Sequence, residues 1–83
     1  MKVKVFVSLK GKILDPQGRA VHQALQSMGF GQVKDVRLGK LIEMEFAPMP
    51  SNGVRKQVSE MCEKLLANPV IEDYRIEIEG ENG

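Results

Sequence analysis

Hydrophobic and polar residues alternate over residues 2–9. Val3, Val5, Val7 and Leu9 share one side and Lys2, Lys4, Phe6 and Ser8 the other, the period of a half-buried strand. The period changes in the stretch LDPQGRAVHQALQSMGF at residues 14–30. Asp15 can accept hydrogen bonds from the free N–H groups of a first helical turn, and Pro16 fits the first helical position, where its missing donor has no partner to lose. Ala20, Val21, Ala24, Leu25 and Met28 then recur at helical spacing, with Arg19, His22, Gln23 and Gln26 opposite, so the pattern predicts a helix over residues 16–28 with one dry face. Gly29 ends it in the left-handed conformation, and Phe30 can fold back over the last turn.

Alternation returns in VKDVRLGKLIEMEFA at residues 33–47. Val36, Leu38, Ile42, Met44 and Phe46 share one parity, interrupted by Lys40, and Arg37, Leu41, Glu43 and Glu45 share the other. The stretch reads as one long strand bent near Gly39 or as two strands joined there by a tight turn. A turn on residues 38–40 leaves little room and glycine within a strand marks a bulge, so the long bent strand is preferred. Pro48, Pro50, Ser51, Asn52 and Gly53 form the one breaker cluster. A second helix follows, capped by Ser51 or Asn52 and striped by Val54, Val58, Met61, Cys62, Leu65 and Leu66, until Asn68 and Pro69 stop it. Tyr74, Ile76 and Ile78 alternate with Arg75, Glu77 and Glu79 in a last strand.

The order strand, helix, strand, helix, strand, with one apolar stripe per helix, predicts an α+β two-layer sandwich: both helices on one face of an antiparallel or mixed sheet. Residues 1–79 form the single domain, and residues 80–83 a frayed tail. The other sheet face carries Phe6 and Leu41 among Lys4, Glu43 and Glu45. An outer face with apolar residues on a small domain predicts a homodimer built through sheet edges and this face, with the sheet shared between copies.

Composition narrows the partners. Eighty-three residues bury only about 60–65% of the surface of the unfolded chain, so the core is marginal and a partner is expected. Twelve Lys and Arg against eleven Asp and Glu give a net charge of +1, too small for the multi-phosphate contacts of non-specific nucleic-acid binding. One cysteine forms no internal disulfide, no leader pattern is evident and no apolar run approaches the ~20 residues of a membrane span, so a cytoplasmic protein without membrane or nucleic-acid contact is expected.

The search for chemistry ends without a catalytic, cofactor-binding or metal-binding set. His22 stands alone on the polar side of the first helix, without a ligand partner near it. Cys62 lies on the apolar stripe of the second helix, where a thiol is structural rather than activated. Gly29 and Gly31 follow a helix instead of leading into one, which excludes a phosphate-cradling loop. Glu72 and Asp73 point to opposite faces and make no catalytic pair. Arg37 and Lys40 flank the glycine of VRLGK and present two charges, to an anionic partner surface or to water.

In LDPQG at residues 14–18, VRLGK at residues 36–40 and CEKLLANPVIEDY at residues 62–74, the chain resembles the PurS family, small subunits of phosphoribosylformylglycinamidine synthase in its multi-subunit form. The resemblance runs over nearly the whole length. It implies an accessory, non-catalytic role in purine biosynthesis. The enzyme converts formylglycinamide ribonucleotide, ATP and glutamine to formylglycinamidine ribonucleotide, ADP, phosphate and glutamate. In the family a glutaminase subunit liberates ammonia, a large synthetase subunit uses ATP with Mg, and PurS orders the two as a dimer while binding no cofactor itself. Holding the two active sites in register guards ammonia from protonation and loss. Phe6, Asp15, Arg37, Lys40 and Leu41 are the expected interface residues. The alternatives are a small-ligand regulatory module, paired domains binding a metabolite between them, and an RNA-binding sheet, against which the near-neutral charge and four aromatics speak.

Overall fold

A computed structural model describes residues 1–80; of the expected 80–83 tail, all but Gly80 lies outside the described residues. Strand β1 (Lys2–Leu9) sits at the centre of a three-stranded antiparallel sheet, between β2 (Gly39–Glu45) and β3 (Glu72–Ile78). Val5 lies opposite Ile42 on one side and Ile76 on the other. The period-two pattern therefore puts one apolar set on one face. Val3, Val5 and Val7 are buried there, and Val54, Val58 and Cys62 of the second helix close over them together with Ile78. Full burial of each such side chain stabilises the fold by about 1.5–3 kcal/mol.

That helix, α2 (Ser51–Met61), continues into a π-helical turn over Cys62–Leu66, where the Ala67 N–H donates to the Cys62 carbonyl five residues back. Val54, Val58, Cys62 and Leu66 face inward, whereas Leu65, expected on the stripe, is exposed. The expected side-chain cap is also absent. The helix opens from Pro50, whose carbonyl accepts from Gly53 and Val54, and Ser51 and Asn52 lie within its first turn.

Helix α1 (Pro16–Ser27) has the expected ends. Asp15 Oδ1 accepts from the Gly18 N–H at 2.9 Å, and Pro16 fills the first position. At the other end Gly29 takes φ +97°, its N–H donates to the Gln26 carbonyl and the Phe30 N–H to the Leu25 carbonyl, the bond pair of a glycine-terminated helix.

Two further expectations are corrected. The helices do not share one face: α2 lies against the β3 side, whereas α1 leaves Ala20, Val21, Ala24 and Met28 exposed and only Leu25 half-buried. Ile42, Met44 and Phe46, on the β2 half of the inner face, are correspondingly only half-buried. The molecule is elongated, 49 × 26 × 20 Å with a radius of gyration of 16.1 Å. A compact chain of this length would have about 12 Å. Helix α1 is an arm, not a layer. The second strand, moreover, is not long and bent: β2 begins at Gly39, and residues 33–38 are outside the sheet. Extending the register would set Leu38 opposite Leu9, but the Leu38 N–H donates to Asp15 and the Leu9 carbonyl accepts from Arg37, so the ladder stops.

Candidate functional site

The arm joins the body of the molecule at a polar notch, and three segments distant in sequence supply it. The end of β1 and the loop after it run against residues 33–38 through Arg37, whose guanidinium donates to the carbonyls of Leu9 at 3.2 Å, Lys10 at 3.0 Å and Ile13 at 3.3 Å. Five fixed donors on a planar fork suit one side chain to three carbonyls. Asp15 answers from the loop. One carboxylate oxygen accepts from Gly18 and the other from the Leu38 N–H, 2.9 Å each, while the residue is only 7% exposed. These two backbone N–H groups, with the Arg37 charge adding to them, hold the Asp15 carboxyl below its ordinary value against the opposing effect of burial. One turn further along, His22 Nε2 bonds the Val33 carbonyl at 2.7 Å, so this nitrogen is the protonated one and donates.

Gly18 sits where α1 meets residues 33–38 most closely. A Cβ there would overlap the Val36 carbonyl oxygen and come within 2.7 Å of Asp15 Oδ2. Gly39 is constrained likewise, its Cβ position lying 2.7 Å from the Val7 carbonyl. The glycines of LDPQG and VRLGK are thus sites of backbone-to-backbone approach. Two shallow grooves flank the notch, about 210 Å³ toward Lys40 and Glu72 and about 420 Å³ toward Arg19 and Asp35. Both are open, and the polar atoms that line them through Asp15 and Arg37 already have protein partners.

The five residues expected at an interface fall in two places. Asp15, Arg37 and Lys40 meet at the notch, where Asp15 and Arg37 hold the chain together and Lys40 is exposed without a partner among the described residues. Phe6 and Leu41 face each other across β1 and β2 on the outer sheet face, half-buried and 49% exposed respectively. Arg75, opposite Phe6 on β3, lays its guanidinium 4.4 Å from the ring centroid and also pairs with Glu77. Around them the charges alternate between strands, Lys4 standing between Glu43 and Glu77. Sequence reasoning passed over Arg75 and the His22 bond. The parity of Arg75 with Glu77 was visible; the Val33 partner of His22, eleven residues on, carried no local signal.

The nucleophile candidate has no activating neighbour. Cys62 is fully buried, and desolvation, with the Glu63 charge, pushes its thiol up. Tyr74 donates to Glu63 Oε2 at 2.8 Å, which raises the phenol above its ordinary value. No group of three or more metal-ligating side chains occurs among the described residues, and none of their helices is long and apolar enough to cross a membrane.

A three-stranded antiparallel sheet with one covering helix and one projecting arm defines a small α+β domain. The family model described as PurS, phosphoribosylformylglycinamidine (FGAM) synthase, matches residues 2–80, and the chain belongs to that family. It is 56% identical over 78 residues to the phosphoribosylformylglycinamidine synthase subunit PurS of Bacillus subtilis, covering 94% of this chain and 92% of that one. The solved PurS of Methanocaldococcus jannaschii superposes with a TM-score of 0.86 at 42% identity, covering 98% of each chain. A chain in the structure of PurLQS from Thermotoga maritima gives 0.83 at 32% identity, covering 92% of this chain and 93% of that one.

Proposed function

We propose that this chain acts by assembly, holding catalytic subunits together while contributing no reacting group. It is a PurS-type subunit of phosphoribosylformylglycinamidine synthase, a glutamine-dependent ligase of purine biosynthesis. The observation that carries the reading is the match over residues 2–80, combined with likeness to a chain of a PurLQS structure. The finer reading is an accessory role between the glutaminase and the large synthetase subunit, in the cytoplasm. ATP and Mg are used by the synthetase and ammonia is kept from solvent on its way to it. Reconstitution tests this. Leaving the chain out should abolish glutamine-dependent product formation while ammonia-dependent formation survives; equal glutamine-dependent rates with and without it would refute the role.

The chain works as a homodimer in this reading. Two apolar surfaces support it: the stripe of α1 and the β2 half of the inner sheet face, the one exposed and the other half-buried. A twelve-residue helix is marginal in water without a surface to cover it. The second copy is the occupant, each arm lying on the other copy's Ile42 and Met44, in the manner of exchanged elements. The arm also carries no acid between Pro16 and Phe30, so it approaches the acid-bearing β2 without repulsion. The outer face with Phe6, Leu41 and Arg75 is then a candidate contact for the other subunits, as is Lys40 at the notch. Light scattering on Val21→Glu combined with Met28→Glu should show the mass halved, and an unchanged mass would exclude the arm from the dimer.

A further inference from the structure

We infer that the Arg37–Asp15 joint is a directing latch: it holds α1 away from its own sheet, and so decides that the arm's apolar stripe meets another chain instead of folding back. The inference rests on the dimer reading for its purpose, though not for its geometry. A helix with an exposed stripe and a sheet half whose apolar residues are only half-buried coexist in one chain only if something prevents them from meeting. Burial of both would favour closure, since apolar area removed from water stabilises at about 25 cal/mol per Å² wherever the covering surface comes from. What opposes it here is polar and local.

Arg37 ties residues 33–38 to Leu9, Lys10 and Ile13, on the approach to the arm. Asp15 ties the same segment, at Leu38, to the first turn of the arm at Gly18. The close approach of Gly18 to the Val36 carbonyl makes the pivot, and the His22 bond to Val33 fixes the helix one turn beyond it. Every one of these bonds ends on a backbone atom, so they define a direction for the helix and not merely an attachment. Beyond His22 the side chains of the arm are tied to residues 33–38, among the described residues, only by Gln26, whose amide donates to the same Val33 carbonyl at 3.3 Å, and toward its tip Met28 and Phe30 are 69 and 53% exposed. Arg37 is accordingly a positioning residue whose effect is exerted through α1.

Spin labels on the full chain, at Gln23→Cys on the arm and Gln57→Cys on α2, test the latch, with Cys62 buried and unreactive. Labelled chain is diluted into excess unlabelled chain so that only distances within one chain are read. With Arg37 present a single, long and narrow distribution is expected. Arg37→Gln, which leaves the Asp15 cap in place, should shift it to shorter distances and move the molar mass toward monomer, with Arg37→Lys between the two. An unchanged distribution in Arg37→Gln overturns the latch, and so does a broadening without a shorter population. Should Arg37→Gln fail to fold by circular dichroism, Arg37→Lys alone decides by the same two criteria. A monomeric unmodified chain would overturn the dimer reading alone, because the distance shift still judges the latch.

Discussion

The two helices of this chain have similar amphipathic patterns and opposite fates. Helix α2 closes over Val3, Val5 and Val7, and its Val54 and Val58, with Cys62 in the turn that continues it, lose all contact with water. Helix α1, of nearly equal length, leaves Val21 and Met28 in solvent and is secured at one end by hydrogen bonds to backbone. An apolar stripe therefore states that a helix must be covered; it does not state by what. The cover for α2 lies within the chain, and the joint of α1 turns its stripe elsewhere.

The largest expected effect would expose that difference. Ile78→Ala removes a side chain 7% exposed from the core under α2 and should cost about 2–5 kcal/mol at any protein concentration. Met28→Ala should leave the isolated fold within about 0.5 kcal/mol but lower the melting temperature most at the protein concentrations that would populate the proposed dimer. Thermal unfolding across a concentration series measures both. A concentration-independent loss for Met28→Ala of the size seen for Ile78→Ala would erase the distinction between arm and core.

A smaller effect, distinguished by its sign, comes from Gly18. Helix propensity alone favours alanine there by about 1 kcal/mol. The Val36 carbonyl occupies the space a Cβ needs, so Gly18→Ala should instead destabilise by about 1–3 kcal/mol. Gly11→Ala, with no atom within 4 Å of its Cβ position, is the control for an open site. Denaturant titration of the two variants gives the comparison, and a stabilised Gly18→Ala would mean that the joint is loose.

What could be read in the sequence divides along the same line. The ends of α1 were legible because Asp15, Pro16 and Gly29 act within a few residues of themselves, and so were the strands Lys2–Leu9 and Glu72–Ile78, whose alternation is filled by a buried face. The start of β2 was not. Residues 33–38 alternate as a strand does, and what removes them from the sheet is a carboxylate 23 residues away taking the Leu38 N–H. Asp15, Arg37 and Lys40 stand in the two motifs, yet that the first two spend their hydrogen bonds on the joint depends on the same long-range contacts.

The subtlest expected effect concerns the joint and not either helix, and it is read through pH. The Asp15 carboxylate is stabilised in the folded chain by the Gly18 and Leu38 N–H groups and by Arg37, so its folded value lies below its unfolded one. A group lowered in this way contributes stability that is complete above the ordinary carboxylate value near 4. The contribution is lost as pH falls through that value toward the lower folded one, where proton uptake favours the unfolded chain. Melting temperature measured from neutral pH downward should therefore fall more steeply for the unmodified chain than for Asp15→Asn, which starts lower and has no charge there to lose. Core residues under α2 carry no such charge, so the excess slope belongs to the arm's attachment. Because Asp15 bonds the arm at Gly18 and the body at Leu38, its protonation should loosen α1 before the sheet yields, and backbone hydrogen exchange at Gly18 and Leu38 should accelerate ahead of exchange at Val5. Parallel slopes for the two proteins would show that folding does not stabilise the Asp15 carboxylate, and simultaneous exchange at all three positions would show that the arm and the core open as one cooperative unit.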